Sequence, residues 1–204
     1  MPTADPNLVE FNVKNVKITV DGTTFISLAG VNKIAIPYGL SKKMLFSDGM
    51  PVYQHISDRN RTIELEAQGR QDDLEAALGY QTAALSGKAD LAITHETLIK
   101  GIYFEVNGET AGKVGFVKKV WIFNIEMDPA DISFQQNGTD INPQAFTYKG
   151  VIYGANYKAK GGTADYIDPT TGDVVKCYRL SSKTGDTGFD TFDASLPVPT
   201  QPAA

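Results

Sequence analysis

Most of this 204-residue chain consists of short segments in which apolar and polar residues alternate, punctuated by Asp-Gly and Asn-Gly pairs. That pattern confines it to a mainly β fold. Side chains of a strand point to opposite faces with a period of two, so alternation marks a strand with one buried face. Val9, Phe11 and Val13 alternate with polar residues, and Val16, Ile18 and Val20 follow. Ile34 and Ile36 lead to Pro37, and Ile63, Leu65 and Ala67 alternate with Thr62, Glu64 and Glu66. Further strands are expected at Ile102 to Val106, Lys113 to Ile125, Asp131 to Gln135, Gln144 to Asn156 and Val174 to Leu180. Asp21-Gly22, Asp48-Gly49, Asn107-Gly108 and Asn137-Gly138 read as hairpin turns, because type I′ turns need positive φ at both central residues.

One stretch breaks the period. Residues 71 to 79 place Asp72 and Asp73 in a first turn, Leu74, Ala77 and Leu78 at helical spacing, and Gly79 at the end. Acids complement the positive end of a helix and glycine closes it, so one short helix is expected there. Mostly strand with one helix suits a β-sandwich or partial barrel with the helix packed across it. Residues 9–185 read as that β domain, with 1–8 and 186–204 as terminal arms. The C-terminal stretch carries Pro197, Pro199 and Pro202 and no Lys or Arg, and reads as extended rather than packed. Residues 38–60 read as a long loop, and loops of that length inside a compact domain usually interact with something.

Charge and reactive residues narrow the function. The net charge is -5, and Lys42-Lys43 and Lys118-Lys119 are the longest basic runs. Phosphate neutralisation supplies most of nucleic-acid affinity, so tight DNA binding is not expected. There is no signal-peptide pattern at Met1–Asp5 and no apolar run of membrane-spanning length. The glycosylation-type sequons at Asn60 and Asn137 read as coincidental. His55 and His95 have no ligand-spaced partner, and Cys177 sits in a strand-like run as a buried thiol rather than a nucleophile. Trp121, in Val120-Trp121-Ile122-Phe123, reads as core. Asp72-Asp73 reads as helix-start acid rather than an acid–base pair, since consecutive helical residues diverge. No catalytic residue, metal site or cofactor is expected.

Three stretches, taken in order, carry a resemblance. The first is Asp48-Gly49-Met50-Pro51-Val52-Tyr53, then Arg61-Thr62-Ile63-Glu64-Leu65-Glu66-Ala67, then Gly69 to Gly79 with its Leu78-Gly79 ending. The second is Tyr103-Phe104-Glu105-Val106-Asn107-Gly108 followed by Lys113 to Ile125. The third is Phe146-Thr147-Tyr148-Lys149-Gly150 followed by Tyr178 to Phe192. Together they resemble the major tail proteins of long-tailed phages of Gram-positive bacteria, the phi13-type family. The resemblance implies a β-sandwich or partial barrel with a flanking helix. It also implies hexameric rings that stack around a tape-measure protein, meet tail-tip proteins, and let duplex DNA pass transiently. The chain would then be made in a host cytoplasm and reside in the virion tail, with no membrane partner and no enzymatic role.

On that reading, Lys42, Lys43, Met44, Leu45, Phe46, Met50 and Tyr53 form a ring-stacking loop, since exposed apolar residues mark interfaces. Glu64 and Glu66, on one face of an alternating strand, are candidates for the lumen, where acidity repels phosphate. Two other readings stay open. One is a tail component with the same fold that stops at a single ring, such as a distal tail or tail-completion protein. The other is a carbohydrate-binding sandwich using Tyr148, Tyr153 and Tyr157.

Overall fold

The computed structural model describes residues 9–37, 42–47, 50–56, 61–84, 87–91, 97–110, 113–130 and 145–202. The expected strand at 131 to 135, the turns at Asp48-Gly49 and Asn137-Gly138, the histidine at 95 and the N-terminal arm lie outside these residues. The fold is mainly β with one short helix, as the alternation predicts. In chain order the strands are β1 (Val9–Thr19), β2 (Ile26–Ser27), β3 (Val31–Ala35), β4 (Lys42–Ser47), β5 (Met50–Ile56) and β6 (Arg61–Gln68). The helix α1 (Asp72–Ala77) follows, then β7 (Gln81–Ala84), β8 (Gly87–Asp90), β9 (Leu98–Glu109), β10 (Gly115–Met127), β11 (Ala145–Ile152), β12 (Ala155–Asn156), β13 (Lys176–Cys177) and β14 (Arg179–Lys183). The main sheet runs β2-β1-β9-β10-β11-β6-β3, with β14 also on β10. Its two ends approach each other, because β3 comes within 8 Å of β1 without pairing to it. The sheet therefore curls into a partial barrel.

β10 organises this sheet. Its far edge from β9 is shared: Lys118 to Ile122 pair with β14, and Ile125 to Met127 pair with β11. The changeover falls at Asn124, which holds a left-handed conformation (φ 49°) and donates its side-chain amide to Gly154 O at 2.7 Å. Gly154 N–H returns to Phe123 O, and Tyr153 N–H to Asn124 O. The left-handed residue also turns the strand over. Val120 and Ile122 face the barrel core before it, and Ile125 and Met127 face the same core after it. Even-numbered and odd-numbered residues exchange faces at one point, as a bulge-like kink requires.

β1 uses the same device twice. Asn12 (φ 56°) and Asn15 (φ 53°) are left-handed, and each sits at a one-residue slip in pairing with β9. The two expected segments, 9 to 13 and 16 to 20, are thus one bulged strand. Re-phasing at Asn15 lets Val13, Val16 and Ile18 reach one core. Asn tolerates this conformation better than other residues with a Cβ.

Two expected turns differ. Asn107-Gly108 is not a turn but lies within β9, where Gly108 stands opposite Phe116 of β10. A Cβ at Gly108 would overlap the Phe116 ring, so the glycine makes room for an aromatic that covers it. Asp21-Gly22 does turn the chain, but only Gly22 has positive φ (89°). The Asp21 carboxylate accepts from the Thr23 and Thr24 amides at 2.7 Å, forming an Asx-type turn instead of type I′.

The barrel core joins Ile63, Leu65, Leu74, Leu78, Ile99, Ile102, Ile122 and Tyr148, all at most 1% exposed. α1 contributes Leu74 and Leu78 and ends as the sequence predicts. Gly79 (φ 84°) takes the left-handed position, with Gly79 N–H to Ala76 O and Tyr80 N–H to Glu75 O. A second cluster lies on the opposite face of β9 and β10: Tyr103, Trp121 and Phe123, covered by Phe25, Cys177, Leu180, Phe192 and Leu196. Trp121 is core, as expected. The C-terminal stretch is not a free arm: Phe192 and Leu196 pack on this cluster, and Pro199 and Gln201 bond to Lys158. Its prolines set an irregular path, but its apolar residues are still buried by the sheet.

Replacing Asn124 with Val tests the turnover. A branched side chain in the left-handed region and the lost amide bond together should destabilise the fold by about 2 kcal/mol. Urea unfolding checks this, and an unchanged midpoint would contradict the role assigned to Asn124.

Candidate assembly surfaces

The first candidate surface is the segment read as a loop. Within 38–60 the chain forms a hairpin, with β4 antiparallel to β5 from Lys42↔Ile56 to Ser47↔Met50 and a slip between Leu45 and Phe46. So the described part of the stretch is two paired strands rather than a loop. Lys42, Lys43, Met44, Leu45, Phe46, Met50 and Tyr53 all fall on this hairpin. Among the described residues, the two strands pair with each other and join no other sheet. His55 lies on β5 opposite Lys43.

Glu64 and Glu66 share the face of β6 opposite Ile63, Leu65 and Ala67, and both are half-buried. The neighbours across the strand qualify their acidity. Glu64 pairs in register with Lys149 of β11, and Glu66 with Lys33 of β3. The Lys33 ammonium lies 3.8 Å from Glu66. This face of β3, β6 and β11 thus carries alternating charge rather than a solid acidic strip. Exposed pairs of this kind contribute little to stability, but they do lower the local field.

A third surface is an open strand edge. β2 occupies the outer edge of β1 only at Lys17 and Ile18, and Leu28 N–H reaches Val16 O. Among the described residues, the outer edge from Val9 to Asn15 has no strand partner. Such edges recruit strands unless blunted, and the Asn12 and Asn15 bulges interrupt this one.

A charged cluster beside α1 escaped sequence reasoning. Glu75 is fully buried, on a helix whose other acids, Asp72 and Asp73, are not. Arg70 grips it with Nε at 2.8 Å and Nη2 at 2.5 Å, and reaches on to Asp90 at 2.8 Å. Tyr148 donates to Glu75 at 3.3 Å and accepts the Gln71 amide at 2.7 Å, which supplies the helix start with the cap that Gln71's side chain does not. Lys88 pairs with Asp72 at 2.9 Å. Burial pushes the Tyr148 hydroxyl up to about 12, so it stays protonated and can donate. Hydrogen bonding to Lys88 holds Asp72 below the usual carboxylate range, and Arg70 does the same for Asp90. An open cleft here is lined by Gly30, Gly69, Arg70, Asp73 and Lys88, but both cations are already committed to carboxylates. The cluster ties α1 to the barrel and is not built to hold a ligand. No sequence signal found it, because Arg70, Asp90 and Tyr148 meet Glu75 only through the fold.

Among the described residues, no group of three or more His, Cys, Asp or Glu could hold a metal ion. No described helix is long and apolar enough to cross a membrane. Cys177 is half-buried, and burial pushes its thiol up, away from nucleophilic character. Of the three tyrosines recruited for a carbohydrate platform, Tyr148 is fully buried. Tyr153 is half exposed and bonds Glu126, while Tyr157 stacks edge-on against Tyr166. No protein-family model and no curated protein matches the chain.

Removing the Arg70 cation strands a buried carboxylate, so Arg70→Met should cost about 3–5 kcal/mol by urea unfolding. Replacing both partners, Arg70→Met with Glu75→Leu, should recover much of that loss. Equal destabilisation in single and double variants would contradict the pairing. Acid acts on the same cluster. Asp72 and Asp90 are depressed in the folded state, so their contribution is present above the unfolded carboxylate range and lost as pH falls through their folded values. Stability should hold near neutrality and fall below about pH 4. The fall should be shallower in Arg70→Met, where Asp90 has lost its main partner.

Proposed function

We propose that this chain is a structural subunit of a phage tail tube, stacking as rings, hexameric in the proposed form, to make a channel for DNA. The observation that carries the reading is the β4–β5 hairpin. It concentrates Met44, Leu45, Phe46, Met50 and Tyr53 in a unit that, among the described residues, pairs with no strand of the barrel. A two-stranded hairpin is marginal alone in water, so one rich in apolar residues gains most from a neighbouring surface. The resemblance in the order of sequence pieces, the partial barrel with one helix, and the open edge of β1 support the same reading. In a ring, that edge would pair with an adjacent subunit through backbone hydrogen bonds, and ring closure would remove exposed edges.

The stacking contact is assigned to the hairpin, with the tape-measure and tail-tip proteins setting where stacking begins and ends. The face bearing Glu64 and Glu66 is assigned to the lumen. Its alternating charges leave no net attraction for phosphate, so duplex DNA passes without sticking.

Two variants test these assignments separately. Replacing the hairpin 42–56 by a short Gly/Ser link should leave a folded barrel that sediments as a small species. A deletion variant that still pellets as long polymers would overturn the stacking role. Glu64→Lys with Glu66→Lys should leave assembly intact and lower infectivity, because four lysines would then line one face and hold DNA. Normal infectivity in that double variant would remove the lumen assignment.

A further inference from the structure

The C-terminal segment covers the second hydrophobic cluster in an unusual way. Among the described residues, 186–202 makes one backbone hydrogen bond to a strand of the main sheet, Asp186 N–H to Lys183 O at the very end of β14, and none beyond Asp186. Its own amides close short turns around Phe189–Thr191, and its only ladder is to Lys158, whose N–H meets Pro199 O and whose carbonyl accepts Gln201 N–H. What holds it to the barrel is a set of side chains. Trp121 Nε1 donates to Phe192 O at 2.9 Å. Lys119 donates to Phe189 O at 3.0 Å and to Asp193 at 2.5 Å, and its ammonium lies 4.6 Å from the Phe189 ring centre. Lys17 lies 3.9 Å from the other Asp193 oxygen. Leu196 fills a hole above Gly101, where an added Cβ would overlap it and press on Trp121.

The segment is also separable by geometry. Thr184 ends the pairing with β10, and Gly185 (φ 97°) and Gly188 (φ 82°) follow in conformations that glycine adopts freely. The cluster beneath, Tyr103, Trp121 and Phe123, is distinct from the barrel core on the opposite sheet face. Lifting the segment would therefore uncover one aromatic face and leave the barrel core untouched. Regions held by few contacts open at lower free energy than the core they rest on.

We propose that residues 186–202 form a strap that opens as a unit, separately from the barrel, and that Asp193 with Lys119 and Lys17 is its latch. Lys119 is 9% exposed, so loss of its carboxylate partner leaves a nearly buried cation and favours opening. Leu196 is the apolar half of the same lock. The opened state exposes the part of the Trp121, Tyr103 and Phe123 cluster that Phe192 and Leu196 cover, while Phe25, Cys177 and Leu180 keep the rest. This inference does not depend on the tail-tube reading.

Hydrogen exchange on the full chain tests it, with fluorescence of Trp121, the sole tryptophan, as a second readout. Asp193→Asn should speed exchange of the amides from Phe189 to Gln201 about tenfold. It should also shift Trp121 emission to the red, while β9 and β10 amides keep wild-type rates. Leu196→Ala should do the same. Unchanged strap rates in Asp193→Asn would overturn the latch. Strap and barrel amides accelerating together, or loss of the barrel's far-UV signal in either variant, would overturn the separate unit.

Discussion

A strand buried on both faces must find cover on both sides, and β10 is such a strand. Trp121 and Phe123 face one way, Val120 and Ile122 the other, and all four are at most 3% exposed. One face demands the curled barrel and α1. The other demands an outer layer, which the chain supplies from Phe25 and from residues after β11. Asn124 lets both demands be met within one strand, because its left-handed backbone exchanges the faces and frees the edge that β14 and β11 then share. Fold and cover are thus consequences of one local geometry.

Glu75, the one buried carboxylate among the described residues, is held within the chain by Arg70 and Tyr148. What remains for other molecules lies outside: a self-paired apolar hairpin, an interrupted strand edge, and a charge-balanced face. None of the three is a pocket with converging reactive groups, the arrangement an active site needs. On the proposed reading, each is a surface that another copy of the chain would cover. That division between a self-sufficient barrel and three outward surfaces is why assembly is the reading preferred to chemistry.

Much of this fold was legible in the sequence. Alternation located β6, β9, β10 and β11, and the spacing of Leu74, Leu78 and Gly79 placed α1 to within a residue or two. Where reading failed, a local rule was overruled by pairing. Asn107-Gly108 carries turn chemistry, but Phe116 across the ladder needs a glycine beneath it. The stretch 38–60 looked too mixed for strands, yet two short runs separated by Asp48-Gly49 pair with each other. The last residues looked too proline-rich to pack, because a strap held by Lys119 and Trp121 leaves its signature in β10 rather than in itself. Glu64 and Glu66 were placed on one face correctly, while Lys33 and Lys149 beside them depend on strands distant in the chain.

Stacking of copies of this chain is the step on which the proposed assembly rests. Negative-stain electron microscopy of the purified full chain, over a range of concentrations, tests it most directly. The account expects hollow tubes with a regular axial repeat. Closed single rings would point to a tail component that does not polymerise. Particles that remain monomeric at every concentration, even with tail-tip and tape-measure proteins added, would contradict the account.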